Sequence, residues 1–277
     1  KCFQRLLGLI IAAFMHRRVC MGVLHHVFGW LRRIEPSEVN PAHTLHRIPP
    51  QVHDDLAAAM LVLPACHSNI RWGISTELSC TDATPIRGGS ASVQIPYSLA
   101  RALYRYGEHR GEYVRLDWSS FEEANLPSTM QRPREDINSL SRGLRWRATR
   151  SYKFAQHSHV NIQEARAGKD ELRTRAVFST SPARFMNLVD SRVYLGAQAK
   201  GRSSSKELNT VIRSHAVYSI AGRQEMINIW TDTHSNAADH PSRLKVIPEP
   251  DPLPEWALQH YDSQGSTQVG DIDVAHS

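Results

Sequence analysis

Four acidic residues alternate in setting along the chain. Asp82 in LSCTDAT and Asp190 in FMNLVDSRV each end an apolar, strand-like run, whereas Glu164 in HVNIQEARA and Asp239 in SNAADHPSR sit where helices begin. The order strand, helix, strand, helix points to an α/β fold that gathers strand ends and helix starts. Carboxylates converging in one cleft repel one another strongly, so such a quartet is stable mainly when divalent cations occupy it and phosphate oxygens complete the coordination. The pattern therefore implies metal: two Mg2+ ions, with Mn2+ as an alternative, held by Asp82, Glu164, Asp190 and Asp239. A metal pair about 3.5–4 Å apart positions and deprotonates a water on one side of a phosphodiester and stabilises the leaving oxygen on the other, and no protein nucleophile is needed.

The charge balance agrees with an anionic partner. Residues 246–277 carry six acidic residues and no Lys or Arg, which leaves 33 basic against 21 acidic residues in 1–245, a net of +12 where the whole chain shows +6. A basic body suits phosphate binding, because neutralising phosphates releases condensed counterions; solubility alone is the alternative reason for such a charge. With 277 residues, 41% of them hydrophobic, the chain is long enough to bury a core as one large domain or two smaller ones. Cys2, Cys20, Cys66 and Cys80 have neither C-x-x-C pairing nor zinc-ligand spacing, and read as reduced packing residues. The longest apolar run, Leu6 to Met15, is ten residues, too short to cross a bilayer. His16-Arg17-Arg18 follows it where the small residues of a signal-peptide cleavage site would stand, so a buried helix is expected and no membrane partner. A first residue that is Lys rather than Met reads as a fragment of a longer polypeptide.

Three regions follow from the pattern: a helical segment over 1–70, an α/β domain over 71–245 with an insertion at about 97–150, and an acidic, Pro-rich tail over 246–277, read as extended or disordered. Leu6, Leu7, Ile10, Ile11 and Phe14, then Val19, Val23, Val27 and Leu31, predict helix over 1–33. Pro36, Pro41, Pro49 and Pro50 break it before a second helix at 51–63. A strand from Leu78 to Asp82 is expected to turn at Gly88-Gly89 and return as Ser90 to Ile95. Helix at 98–107, a strand near 151–156, a helix past Glu164 and a last strand at Ile227 to Trp230 complete the outline. Ser204 and Glu207 have the spacing of a capping box for a helix carrying Leu208, Val211 and Ile212.

The end of the α/β region reads Asn236-Ala237-Ala238-Asp239-His240-Pro241-Ser242-Arg243, and upstream lies VDSRVYLGAQAKGRSSSKELNTVIR. In these stretches the chain resembles the ribonuclease H domains of reverse-transcribing elements, particularly retrotransposon versions that end in N-x-A-D-x-x-S-R. Coverage is roughly residues 71–245. The resemblance implies a ribonuclease H-like fold, a mixed five-stranded sheet flanked by helices and preceded by a thumb- or connection-like helical segment. It places the four family carboxylates on Asp82, Glu164, Asp190 and Asp239. The implied activity is hydrolysis of the RNA strand of RNA–DNA hybrids, recognised by an A-form-like minor groove with 2′-hydroxyls, within a reverse transcriptase polyprotein whose upstream polymerase region is a partner. The chain itself has no Y-x-D-D polymerase motif. Rival readings are a decayed or domesticated copy that binds nucleic acid without cutting it, and a structural part of a larger replication protein.

Two basic regions are candidates for holding the nucleic acid. Arg132, Arg134, Arg142, Arg145, Arg147, Arg150 and Lys153 are interleaved with Trp146 and Tyr152, and guanidinium groups beside aromatics suit phosphates and unpaired bases. Of these, Arg145, Arg147 and Arg150 are the expected contacts; a solvated charged face is the alternative. The second region is Lys200, Arg202 and Ser203, where a helix start with its free N–H groups and dipole attracts an anion. An ordinary capped surface helix is the alternative there.

Overall fold

The computed structural model describes residues 2–34, 46–109 and 135–262. Its centre is a mixed, open, six-stranded sheet: β1 Gly73–Ile74, β2 Glu77–Ala83, β3 Arg87–Gln94, β4 Arg147–Lys153, β5 Ala183–Val189 and β6 Gln224–Trp230. β2, β3 and β4 form an antiparallel meander, β5 runs parallel to β2, and β6 runs parallel to β5. β1 and β2 meet β5 at successive heights, Gly73 opposite Ala183 and Cys80 opposite Leu188, while β6 pairs along the whole of β5. β1 and β2 are thus one interrupted strand on a single edge of β5, and the break explains why six strands stand where five were expected. Ser75 keeps the ladder through the break, donating its N–H to Arg184 O at 2.8 Å.

Helices cover both faces. On one, Leu78, Cys80, Met186, Leu188 and Ile229 pack with α4 (Tyr97–Tyr104) and α5 (Glu135–Gly143) through Leu99, Leu103, Ile137 and Leu140. On the other, Phe185, Val189 and Met226 pack with α6 (Val160–Phe178), α7 (Arg192–Lys200) and α8 (Lys206–Ala221) through Ile162, Leu172, Tyr194, Leu208 and Ile212. The strand alternation of period two sorts these residues: Phe185 and Val189 face one layer, Met186 and Leu188 the other. The short α9 (Asp239–Ser242) lies against β2, β3 and β4. Among the described residues no helix is long and apolar enough to cross a membrane.

Several expectations are corrected. The helix expected over 1–33 is three pieces: α1 (Cys2–Phe14), a 3-10 stretch at Arg18–Leu24, and α2 (His25–Ile34). The break lets the 3-10 stretch bury Cys20, Met21, Val23 and Leu24 between α1, α2 and α3 (Pro50–Val62), which a straight rod would not allow. Pro50 opens α3 rather than breaking a helix, since a first-turn N–H has no intrahelical partner to lose. The strand expected near 151–156 spans Arg147–Lys153 instead, and residues 110–134 of the expected insertion, Arg132 and Arg134 among them, lie outside the described residues. α8 is capped by Ser205, whose hydroxyl accepts from Leu208 N at 3.3 Å, not by Ser204. The described part of the Pro-rich tail, up to Asp262, folds back: Leu253 packs beside Gly143, and α10 (Glu255–Asp262) buries Ala257 in the α4–α5 core.

Candidate metal centre

Asp82 extends the inward face begun by Leu78 and Cys80 and reaches the end of β2, only 3% exposed. Its register partner on β3 is Gly89. A Cβ at 89 would stand 2.4 Å from Ser242 N and 2.7 Å from Ala238 O, so the missing side chain is what admits α9 to the sheet. The seated helix lets the Ser242 hydroxyl donate to Asp82. Asn236 fixes the approach to α9, donating to Thr81 O at 3.0 Å and accepting from Ala238 N at 3.2 Å.

Glu164 comes from the opposite layer. His159 caps α6 by accepting from Asn161 N, and the first turns of that helix carry Glu164 to the end of β2, where one carboxylate oxygen accepts from Ala83 N at 3.0 Å. Its other oxygen, Oε2, is buried with no protein partner. Asp190 directly follows β5, between its last residue Val189 and Ser191, the cap of α7. Trp230 Nε1 donates to Asp190 O at 3.2 Å. Deeper in the sheet, Asn187 joins three strands, donating to Thr81 Oγ1 at 3.0 Å and Asn228 Oδ1 at 3.2 Å and accepting from Ser79 Oγ at 3.0 Å. This buried network ties the three strands together near the ends that carry the acids.

The result is three carboxyl groups, Asp82, Glu164 and Asp190, each offering an oxygen, with those oxygens all within 4.8 Å of one another. Burial is the main reason all three resist ionisation, and mutual repulsion adds to it. Asp82 is pushed up to about 6 by burial and by Asp190 and Asp239, against the Ser242 hydrogen bond. Glu164 is raised well above the ordinary carboxylate range by burial, Asp82 and Asp190. Asp190 is raised by burial and Asp239, against a hydrogen bond from Thr233. An all-oxygen, net-negative donor set with one buried oxygen left over fits a hard divalent cation, and this group could bind a metal.

Asp239 stands apart from the three. Its carboxylate accepts from Arg243 Nε at 2.7 Å and is 21% exposed, yet its charge reaches all three neighbours. Ser242, Arg243, Asn236 and Gly89 were not singled out from sequence as site residues, although the first three lie in the run from Asn236 to Arg243 that carries the resemblance.

The expected nucleic-acid contacts divide. Arg145 is exposed beside Glu249 at 3.6 Å, and Arg147 is exposed on β4. Arg150 instead turns inward to Asp170 at 3.0 Å, to buried Glu171 and to Ser90 Oγ at 3.1 Å, so its charge is spent on the fold. Trp146 is buried, its Nε1 donating to Ser141 O, and is not presented for stacking, while Tyr152 is half-buried and packs over Gly88. Lys200 ends α7; Arg202 lies over the Phe28 ring at 4.4 Å; Ser203 N donates to Asn209 Oδ1 at 2.9 Å. No family model, curated protein or solved structure gives a significant match to the chain.

Proposed function

We propose that the chain is a ribonuclease H-like nuclease that hydrolyses the RNA strand of RNA–DNA hybrids, as part of a retroelement-derived reverse transcriptase polyprotein. The observation that carries this reading is the convergence of Asp82, Glu164 and Asp190, from adjacent strand ends and an overlying helix, around an unpartnered buried carboxylate oxygen. A mixed sheet flanked by helices, with acidic residues at the ends of β2 and β5, is also the arrangement that the resemblance implies.

In this reading Asp82, Glu164 and Asp190 hold Mg2+ or Mn2+, with Asp239 completing the set once it leaves Arg243. Bound there, two such ions supply an activated water and stabilise the leaving oxygen. The protein's own part is positional. Ser242 and Ala83 N each orient one carboxylate oxygen and leave another for a cation, while the Asn187 network keeps the strands that carry them from spreading. Exposed Arg145 and Arg147 supply positive charge for the phosphates of the bound strand.

The Asp239–Arg243 ion pair favours one rival, a copy that binds nucleic acid without cutting it, because it neutralises the fourth carboxylate. Mn2+ titration of the full chain by calorimetry tests the metal site itself. The wild type binds Mn2+ at pH 7 with release of protons, and Glu164→Gln weakens binding about 10-fold or more, in the range that changes at metal sites produce. Equal affinity in the two proteins overturns the assignment.

A further inference from the structure

The N-terminal helical segment is joined to the sheet domain at the entry to α8. Asn209 donates to Gly22 O at 2.9 Å, and Gly201, at φ +67°, brings its backbone against Arg18 O so closely that any side chain there would collide with it. This joint leaves a cleft of about 120 Å³ lined from α2 by His25, Phe28 and Arg32 and from the α8 entry by Arg202, Ser203 and Asn209. A neighbouring hollow of about 330 Å³ takes Arg33 from α2 and Lys206 from α8. No acidic residue lines either one among the described residues, and Glu207, in the first turn of α8, is absent from both.

The cations are placed rather than scattered. Phe28 and Arg32 are one helical turn apart on α2, and the Phe28 ring holds the Arg202 guanidinium at 4.4 Å, facing the Arg32 side of the cleft. Burial lowers the affinity of Arg202 for its proton, and the nearby charge of Arg32 lowers it further. The repulsion between half-buried Arg202 and exposed Arg32 is relieved by an anion between them. The 16-residue α8 adds its positive end: among the described residues Ser204, Lys206 and Glu207 N–H groups carry no hydrogen bond.

We infer that this cleft is a second anion site, in which Arg32 and Arg202 hold a phosphodiester of a nucleic-acid strand. The N-terminal segment then reads the strand jointly with the sheet domain instead of merely capping it. The inference rests on the nucleic-acid reading proposed above, but its chemistry, a phosphate between two guanidiniums, can be probed separately with inorganic phosphate.

The test uses the full chain with Asp190→Asn, so that the probe is not consumed. Arg32→Glu, at an exposed position, is compared with Arg101→Glu at an exposed position of α4, which makes the same change in charge. Affinity for a fluorescent RNA–DNA hybrid is measured over a salt series, and melting temperature is measured in phosphate against chloride at equal ionic strength. The expected result is a loss of about 5-fold or more in hybrid affinity for Arg32→Glu, a salt slope lower by about one, and loss of the phosphate-induced rise in melting temperature. Arg101→Glu retains that rise and keeps hybrid affinity within about 2-fold, the long-range part of a charge change being screened. If phosphate protects the parent protein but not Arg32→Glu, and no hybrid binds, the site stands as one for free phosphate and its assignment to a strand is overturned, together with the proposed function. If Arg32→Glu and Arg101→Glu behave alike in both assays, the site is overturned while hybrid binding by the parent leaves the proposed function standing.

Discussion

Gly89 lies directly against the backbone of Ser242, at a distance that leaves no room for even a methyl group. Because Gly89 is also the register partner of Asp82, one small residue sets both the strand that carries the first carboxylate and the helix that carries Asp239. Gly89→Ala forces α9 off the sheet. The expected stability loss is about 1–3 kcal/mol, as for other overpacked sites, while hybrid cleavage falls about 100-fold or more because misplacement by an ångström already costs that much. Chemical denaturation and cleavage assays on one preparation check the pair of effects.

The raised carboxyl groups make a signed statement about pH. Asp82, Glu164 and Asp190 all hold protons more tightly in the folded chain than in the unfolded one, so from about pH 4 through 6 and above the folded state carries more protons than the unfolded state at the same pH. In the absence of metal this cluster therefore costs stability progressively across that window. Metal-free Asp82→Asn is expected to melt higher than the wild type at pH 8, with the difference vanishing near pH 4. Added Mg2+ raises the wild-type melting temperature at pH 8, and the gain shrinks below about pH 6 as protons compete for the same oxygens.

The four carboxylates are not equivalent. Asp82→Asn, Glu164→Gln and Asp190→Asn each remove an oxygen from the converging group and are expected to lower the rate of hybrid cleavage about 1,000-fold or more, the loss of a main electrostatic contributor. Asp239→Asn changes a residue already paired with Arg243 and is expected to cost less, about 10- to 100-fold, and Arg243→Ala to lower the Mg2+ concentration needed for half-maximal rate. Single-turnover rates across a Mg2+ series separate these outcomes.

Arg150 and Arg145 should respond in opposite ways. Arg150→Ala leaves Glu171, 8% exposed, without one of its two guanidinium partners and is expected to destabilise the fold by up to about 3 kcal/mol. Arg145→Ala leaves stability unchanged within about 0.5 kcal/mol, as exposed substitutions usually do, and weakens hybrid binding with a smaller salt dependence. Paired melting and binding curves resolve the two.

The sheet was legible at β2 and β6, where apolar residues alternate, and at β5, a short apolar run buried on both faces. It was less legible at β4, where Arg147–Lys153 is largely exposed and carries no apolar alternation, its place set by pairing with β3. The broken N-terminal helix was hidden for the opposite reason: Val19, Val23 and Val27 keep helical spacing through a tighter 3-10 turn that tertiary packing imposes. At the centre, Asp82 and Asp190 stood out as charges that end apolar runs, whereas Glu164 was legible only as an acid at a helix start. Arg150 did not reveal its inward pairing, since its acidic partners lie about twenty residues away on α6 and only the fold brings them together. Trp146 was similarly ambiguous, an aromatic in a basic run whose indole N–H finds Ser141 O only once α5 has formed.

Metal-dependent hydrolysis at Asp82, Glu164 and Asp190 is read out by cleavage of end-labelled RNA in an RNA–DNA hybrid by the purified chain in Mg2+ or Mn2+. The expected result is cleavage of the RNA strand by the wild type, none when the metal is chelated, and none by Asp190→Asn although that variant binds hybrid as tightly or more tightly, having lost a negative charge facing the phosphates. A folded wild-type chain that binds hybrid in both metals and leaves the RNA intact would contradict it.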